Sequence, residues 1–203
     1  MPFIGNKPSA VPLTSADIAD GIITSAKIAD GTIVNADINA SAAIDSTKLS
    51  GVANTPAFFG YLGTSDQTVS DDTYTKVQIN NEVFDSNSNF DSSTNYRFTP
   101  TTSGKYFVFG QIEGIQNNLF NTSVAIYKNG SIHISLRENP YSNAGSESGV
   151  YISGIVSMNG STDYVELYGR VDLSSGTPKF AGSADTISEG YMTYFGAYKL
   201  IGA

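Results

Sequence analysis

YRFTPTTSGKYF, residues 96–107, joins two short β-prone runs through a turn. Tyr96 to Phe98 carries bulky side chains of the kind that suit a pleated, half-buried surface. Pro100 has no backbone N–H to give to a ladder, so the first run stops there. Ser103-Gly104 supplies turn chemistry before Lys105 restarts the pattern. Reading outward in both directions, the same unit recurs. Candidate strands are Phe58–Leu62, Thr75–Ile79 and Tyr96–Phe98, then Lys105–Glu113, Thr122–Tyr127, Ile132–Arg137, Val150–Ser157, Tyr164–Arg170 and Tyr191–Leu200. Asn129-Gly130 between two alternating runs is a two-residue hairpin signal, and Asn159-Gly160 marks a further turn. No segment shows a long helical period. Short strands with regularly spaced turns predict an all-β domain.

That domain takes residues 56–203. All 12 Tyr and 11 Phe of the chain fall there except Phe3. A segment of this size can bury about 70% of its unfolded surface. Residues 1–55 cannot build a comparable core, so other chains are the simplest source of their stability. The net charge of -8 and the scattered Lys and Arg argue against nucleic-acid binding through a basic face. With no Cys and one His, thiol chemistry and an N/S metal site are not expected. Serine-type catalysis would have to run through His133 alone, and no nucleophile motif accompanies it. No apolar run approaches the roughly 18 residues of a membrane span. No cofactor and no enzymatic activity are expected.

Residues 13–49 carry a repeat. Apolar residues recur every five positions at Leu13, Ile18, Ile23, Ile28, Ile33 and Ile38, then after a slip at Ile44 and Leu49. A small residue stands two before most of them, and a longer unit is visible in SADIADGIIT, SAKIADGTIV and NADINASAAI. Period five fits neither a helix nor a simple strand. The pattern resembles pentapeptide repeats and the short shafts of bacteriophage fibre proteins. The expectation is a stalk over residues 15–55, β-helical or intertwined as a parallel trimer around Ile18, Ile23, Ile28, Ile33, Ile38, Ile44 and Leu49. A partly disordered linker and a single-chain solenoid are the alternatives. Asp17, Asp20, Asp30 and Asp37 read as a solvated face, since the calcium-loop pattern is absent. Before the repeat, MPFIGNKPSAVPLT has no basic leader and is broken by Pro2, Pro8 and Pro12, so no secretion signal is expected. It reads as an extended anchor, residues 1–14, with Pro2, Phe3, Ile4 and Pro8 docking on another protein.

The larger domain resembles the complement C-one-q globular head, a relative of the tumour-necrosis-factor jelly roll. The residues that carry the likeness are Pro56-Ala57-Phe58, Val77-Gln78-Ile79-Asn80, Glu82-Val83-Phe84-Asp85 and Asn89-Phe90-Asp91. They continue through Phe98-Thr99-Pro100 with Gly104-Lys105-Tyr106-Phe107, Ile126-Tyr127-Lys128-Asn129-Gly130, Asp163-Tyr164-Val165-Glu166-Leu167 and Thr193-Tyr194-Phe195-Gly196-Ala197-Tyr198. One departure is Ser161-Thr162-Asp163, where the family commonly has Gly-Asp. The resemblance implies a ten-strand jelly roll that forms a homotrimer and binds ligands. Its distal loops map to Gly114–Asn121, Glu138–Glu147 and Val171–Ser188. Candidate ligand contacts there are Asn117, Asn118, Phe120, Tyr141, Asn143, Asp172, Lys179 and Phe180. Tyr, Phe and Asn can stack on sugar rings and bond hydroxyls.

Anchor, stalk and trimeric head together make a fibre. The leading expectation is a bacteriophage virion fibre, assembled in the host cytoplasm and displayed on the virion surface. Its N-terminus would hold a tail, baseplate or capsid protein. Its head would bind a host-surface glycan or protein, without nucleic acid and without membrane insertion. A capsid head fibre or decoration protein lacking a specific receptor is the alternative. The acidic pairs Asp71/Asp72 and Asp85/Asp91 could hold calcium, but read more simply as exposed turn residues.

Overall fold

The computed structural model describes residues 14, 18–39, 41–45, 48–49, 53–138, 145–183 and 190–202. The chain divides into two units, Met1–Lys48 and Leu49–Ala203.

The first unit is built on a ten-residue alternation. Single 3-10 turns lie at Ser25–Lys27 and Asn35–Asp37. A β-turn precedes each, closed by Ile22 N to Ala19 O at 3.2 Å and by Thr32 N to Ala29 O at 3.1 Å. Each β-turn needs a residue with positive φ, which Gly21 (78°) and Gly31 (76°) supply without a Cβ penalty. This is why the repeat reads Ala-Asp-Gly. No strand occurs among the described residues of this unit. The aliphatic row stays exposed, from Ile28 at 38% to Ile33 at 54%.

The second unit is all-β. Its strands are β1 (Ala57–Tyr61), β2 (Gln67–Thr68), β3 (Thr75–Lys76), β4 (Asn81–Asp85), β5 (Phe90–Asp91), β6 (Arg97–Phe98), β7 (Gly104–Lys128), β8 (Ser131–Glu138), β9 (Gly145–Met158), β10 (Val165–Leu173), β11 (Lys179–Phe180) and β12 (Tyr194–Lys199). The first half of β7 pairs with β12 and β9, and its second half with β10 and β8, all antiparallel. One layer is therefore β4-β1-β12-β7-β9. The other is built around β10, which pairs with β7, β6 and β3. The single long strand crosses from layer to layer, nearly closing the sheet into a jelly roll.

Among the described residues twelve strand segments stand where ten were expected, and five of them are ladders of only two residues. Lys105–Glu113 and Thr122–Tyr127 are one element and not two. The expected loop Gly114–Asn121 is mostly strand: Gly114 pairs with both Phe180 and Ser148, and only the segment between Ile115 and Leu119 breaks register with β9. The polar run Gln116-Asn117-Asn118 interrupts the alternation without ending the ladder.

The core fills the space between the layers. Phe58 stacks on Phe90 at 4.3 Å and on Phe98 at 4.6 Å, and meets Phe195 edge-on at 5.2 Å. Tyr106 is wholly buried and sends its hydroxyl to Thr102 O at 2.7 Å. That bond ties the turn quoted above to the core: Phe98 and Tyr106 touch as rings, and Pro100 is buried between them in sequence. The Asn129-Gly130 hairpin forms as expected, with φ of 51° and 78°. The Ser161-Thr162-Asp163 departure is held by a different device. Asn159 Oδ1 accepts the backbone N–H of Ser161, Thr162 and Asp163, at 2.9, 3.0 and 3.0 Å.

Candidate binding surfaces

Strand alternation sends one set of side chains inward and the other outward. In the β4-β1-β12-β7-β9 layer the outward set is unusually aromatic. Register arranges it in rows across the strands. Phe84, Phe59, Gly196 and Phe109 form one row. Tyr198, Phe107 and Ile155 form a second, and Tyr61, Tyr194, Gln111 and Tyr151 a third. Phe59 stacks toward Phe109 at 6.1 Å, and Phe107 meets Tyr198 at 5.5 Å. Gly196 sits in the middle: a Cβ there would come within 2.5 Å of Phe109 Cζ, so its absence lets the ring fold over the strand. Phe84 is 50% and Ile155 56% exposed. The polar members are tied down, with Gln111 Nε2 donating to Met192 O at 3.0 Å. Burial, with Tyr151 adding, pushes the Tyr194 hydroxyl pKa up. A contiguous apolar face of this kind is a candidate interaction surface.

The outer face of the other layer differs in chemistry. Tyr127 stacks on Tyr168 at 3.8 Å, and Arg97 lies 4.5 Å from the Tyr164 ring centre. Lys76 pairs with the buried Glu166 at 2.5 Å. Arg170 pairs with Asp72 and lies 3.9 Å from Asp172. Burial raises the pKa of Tyr127 and of Tyr168. Charge and aromatic stems alternate here, as on a solvated face.

The third surface is one end of the sandwich. Tyr198 pairs with Ala57 and Lys199 with Tyr106, so the start of β1 and the end of β12 share one end. Ile115 and Lys179 lie at the other, nine residues further along β7 than Tyr106, or about 30 Å. There Ile115, Gln116, Asn117 and Lys179 line a depression of about 200 Å³.

The expected ligand contacts divide on this structure. Asn117, Asn118 and Lys179 gather at that far end, and Phe120 is 52% exposed. Asn118 Nδ2 donates to Ser175 Oγ at 3.1 Å, and Asp172 Oδ2 accepts from Asn121 Nδ2 at 2.6 Å. Phe180 is corrected: it is fully buried, because its pairing with Gly114 and Gln67 turns the ring into the core. Tyr141 and Asn143 lie outside the described residues, as do the anchor residues Pro2, Phe3, Ile4 and Pro8. His133 is exposed on β8. Asp85 and Asp91 cap local turns, whereas Asp71 and Asp72 tie their turn to β10. Asp71 Oδ1 accepts from Leu173 N at 2.9 Å, and Asp85 Oδ2 from Phe90 N at 2.7 Å. Asp91 collects the N–H groups of Ser93, Thr94 and Asn95, and these bonds hold its carboxyl well below the usual range. Among the described residues no three His, Cys, Asp or Glu side chains are grouped to hold a metal. Tyr194 and Tyr198 face outward, whereas Phe195 is core. Phe59, Phe84, Phe107, Phe109 and Ile155 were missed as surface residues. Their only sequence signal is that both parities of β1 and β7 are aromatic or aliphatic.

No family profile matches the sequence, and no curated protein matches it. Solved structures do match the fold. The Eiger tumour-necrosis factor of S. frugiperda superposes with a TM-score of 0.54 at 13% identity, over 72% of this chain and 93% of that one. The globular domain of zebrafish complement 1qA gives 0.50 at 13%, over 72% and 98%. Murine APRIL gives 0.50 at 13%, over 71% and 98%. The second unit therefore has the fold shared by tumour-necrosis-factor and complement C-one-q globular domains.

Proposed function

We propose that the chain is a trimeric fibre whose head binds a ligand. The observation that carries the reading is the aromatic outer face of the β4-β1-β12-β7-β9 layer. Solvent exposure of that face costs free energy that burial in an interface recovers, at roughly 25 cal/mol per Å². A second apolar strip, Ile132 and Leu136, is exposed on β8, which lies at the edge of the other layer. The face and the strip are different patches of one molecule. Joining one to the other is a heterologous contact, which generates a ring when the rotation closes. The tumour-necrosis-factor and C-one-q resemblance favours closure at three. Three parallel chains would also cover the exposed Ile and Leu row of residues 18–49, which a single copy leaves in water.

The finer reading is a bacteriophage virion fibre. It rests on the repeat and on the opening MPFIGNKPS, which resemble phage structural proteins. The N-terminus would anchor to the particle and the head would meet a host-surface glycan or protein. The role is structural and adhesive, with no catalysis. Sedimentation of the full chain tests the assembly. A mass near three times the 21.5 kDa chain is expected, and a monomer at micromolar concentration overturns the reading. Tracing the attachment on assembled particles tests the role: tail or baseplate attachment supports receptor binding, and capsomer attachment makes it a head fibre or decoration.

A further inference from the structure

We propose that the depression at the far end of the head binds a single neutral pyranose ring, an inference that rests on reading the head as ligand-binding. It starts from the break in β7. Ile115 pairs with Glu147 and Leu119 with Gly145, so three residues of β7 stand against one of β9. Bulges of this kind re-aim side chains beside functional sites. Two of the three residues have backbone that favours glycine, Gln116 at φ 155° and Asn118 at φ 67°. Bonds on both sides hold that strain. Gln116 Nε2 donates to Thr177 O at 3.3 Å, Asn118 Nδ2 donates to Ser175 Oγ at 3.1 Å, and Asn118 O accepts from Ser174 N at 3.1 Å. Strain maintained by neighbours in this way is characteristic of binding sites.

What the braced bulge presents is Asn117. Both of its neighbours have committed amides, whereas its own side chain makes no bond to any described residue and is exposed. Opposite it, Lys179 on β11 meets Asp66 at 3.4 Å, and Asp66 also accepts from Gly182 N at 3.2 Å. The rim therefore offers the amides of Gln116 and Asn117 and the Lys179 ammonium around one apolar wall, Ile115. Hydroxyls both donate and accept, and a pyranose adds an apolar C–H face, so this set matches a sugar better than an apolar ligand. The volume, about 200 Å³, is below that of drug-sized pockets and admits one ring. Asp66 offsets the Lys179 charge, and the net charge of -8 repels polyanions. A neutral ring is thus favoured over an acidic sugar.

Saturation-transfer NMR on the full chain tests this. The probes are methyl glycosides of galactose, glucose, mannose and N-acetylglucosamine, with methyl N-acetylneuraminide as the anionic comparison. At least one neutral glycoside should bind in the millimolar range and exceed the neuraminide. Asn117→Ala and Lys179→Met should each weaken it about five- to tenfold, as loss of one hydrogen bond implies. Ser131→Ala, at the opposite end, should leave it unchanged. Melting curves establish that each variant folds. Binding that survives both substitutions, preference for the neuraminide, or no binding of any neutral glycoside overturns the inference. Labelled full-length protein applied to bacterial cells separates the two readings: if it still adheres, only the pyranose site fails; if it adheres to no surface, the ligand-binding head fails with it.

Discussion

Asn129 is the residue whose removal should be felt most locally. It adopts φ of 51°, its Nδ2 donates to Asp163 Oδ1 at 2.8 Å, and its Oδ1 accepts from Tyr164 N at 3.0 Å. Asn129→Ala should lose both bonds and strain the type I′ turn, costing about 1–3 kcal/mol in chemical denaturation. Two ionisable groups set opposite limits on pH stability. The folded pKa of Asp91 is depressed by its turn N–H groups. Its contribution is present above the unfolded carboxylate pKa of about 4 and is lost as pH falls below it. Asp91→Asn should flatten the acid limb of a pH–melting profile. The Tyr106 hydroxyl is pushed up to about 12 by burial. The unfolded chain releases that proton first, so stability is complete below pH 10 and declines as pH rises from about 10 to 12. Tyr106→Phe should make that alkaline decline shallower, with Tyr127, Tyr168 and Tyr194 supplying the remainder, while losing the bond to Thr102 O, measured by the same profile.

Among the strands, β10 and β3 are joined by chemistry as much as by their short ladder. Glu166 is 3% exposed and depends on Lys76 at 2.5 Å. Lys76→Met strands a carboxylate inside the sheet and should cost about 3 kcal/mol in urea unfolding, whereas the double variant with Glu166→Gln should recover much of it. β7 illustrates where strand reading from sequence stops. The hairpin at Asn129-Gly130 was legible because local backbone preferences set it. The crossing between layers was not. Gln116, Asn117 and Asn118 carry turn-like composition, yet pairing with β9 resumes at Leu119, and that pairing is made by residues far off in sequence. The two-residue strands β2 and β11 were invisible for the same reason: neither has a local pattern, and each exists through its partner.

For the molecule as a whole, assembly is the test that matters most. Ile155 is the most exposed member of the aromatic face, at 56%, and lies outside the buried core. Ile155→Asp should leave the far-UV circular dichroism of the folded chain nearly unchanged while driving the sedimenting mass toward a single chain. The all-β class could be read from residues 56–203 directly, since alternation and turn residues are local properties of the chain. Which aromatic residues face the core could not, because a period of two names two faces without saying which is covered. Register answers it: Phe58 and Phe195 fall inside, Phe59 and Tyr198 outside. The same holds at the far end, where Phe180 and Asn117 looked alike as loop residues. Pairing of Lys179 with Ile115 buries the ring next to it and opens the depression that Asn117 borders, and such pairings depend on contacts between segments that no local pattern encodes.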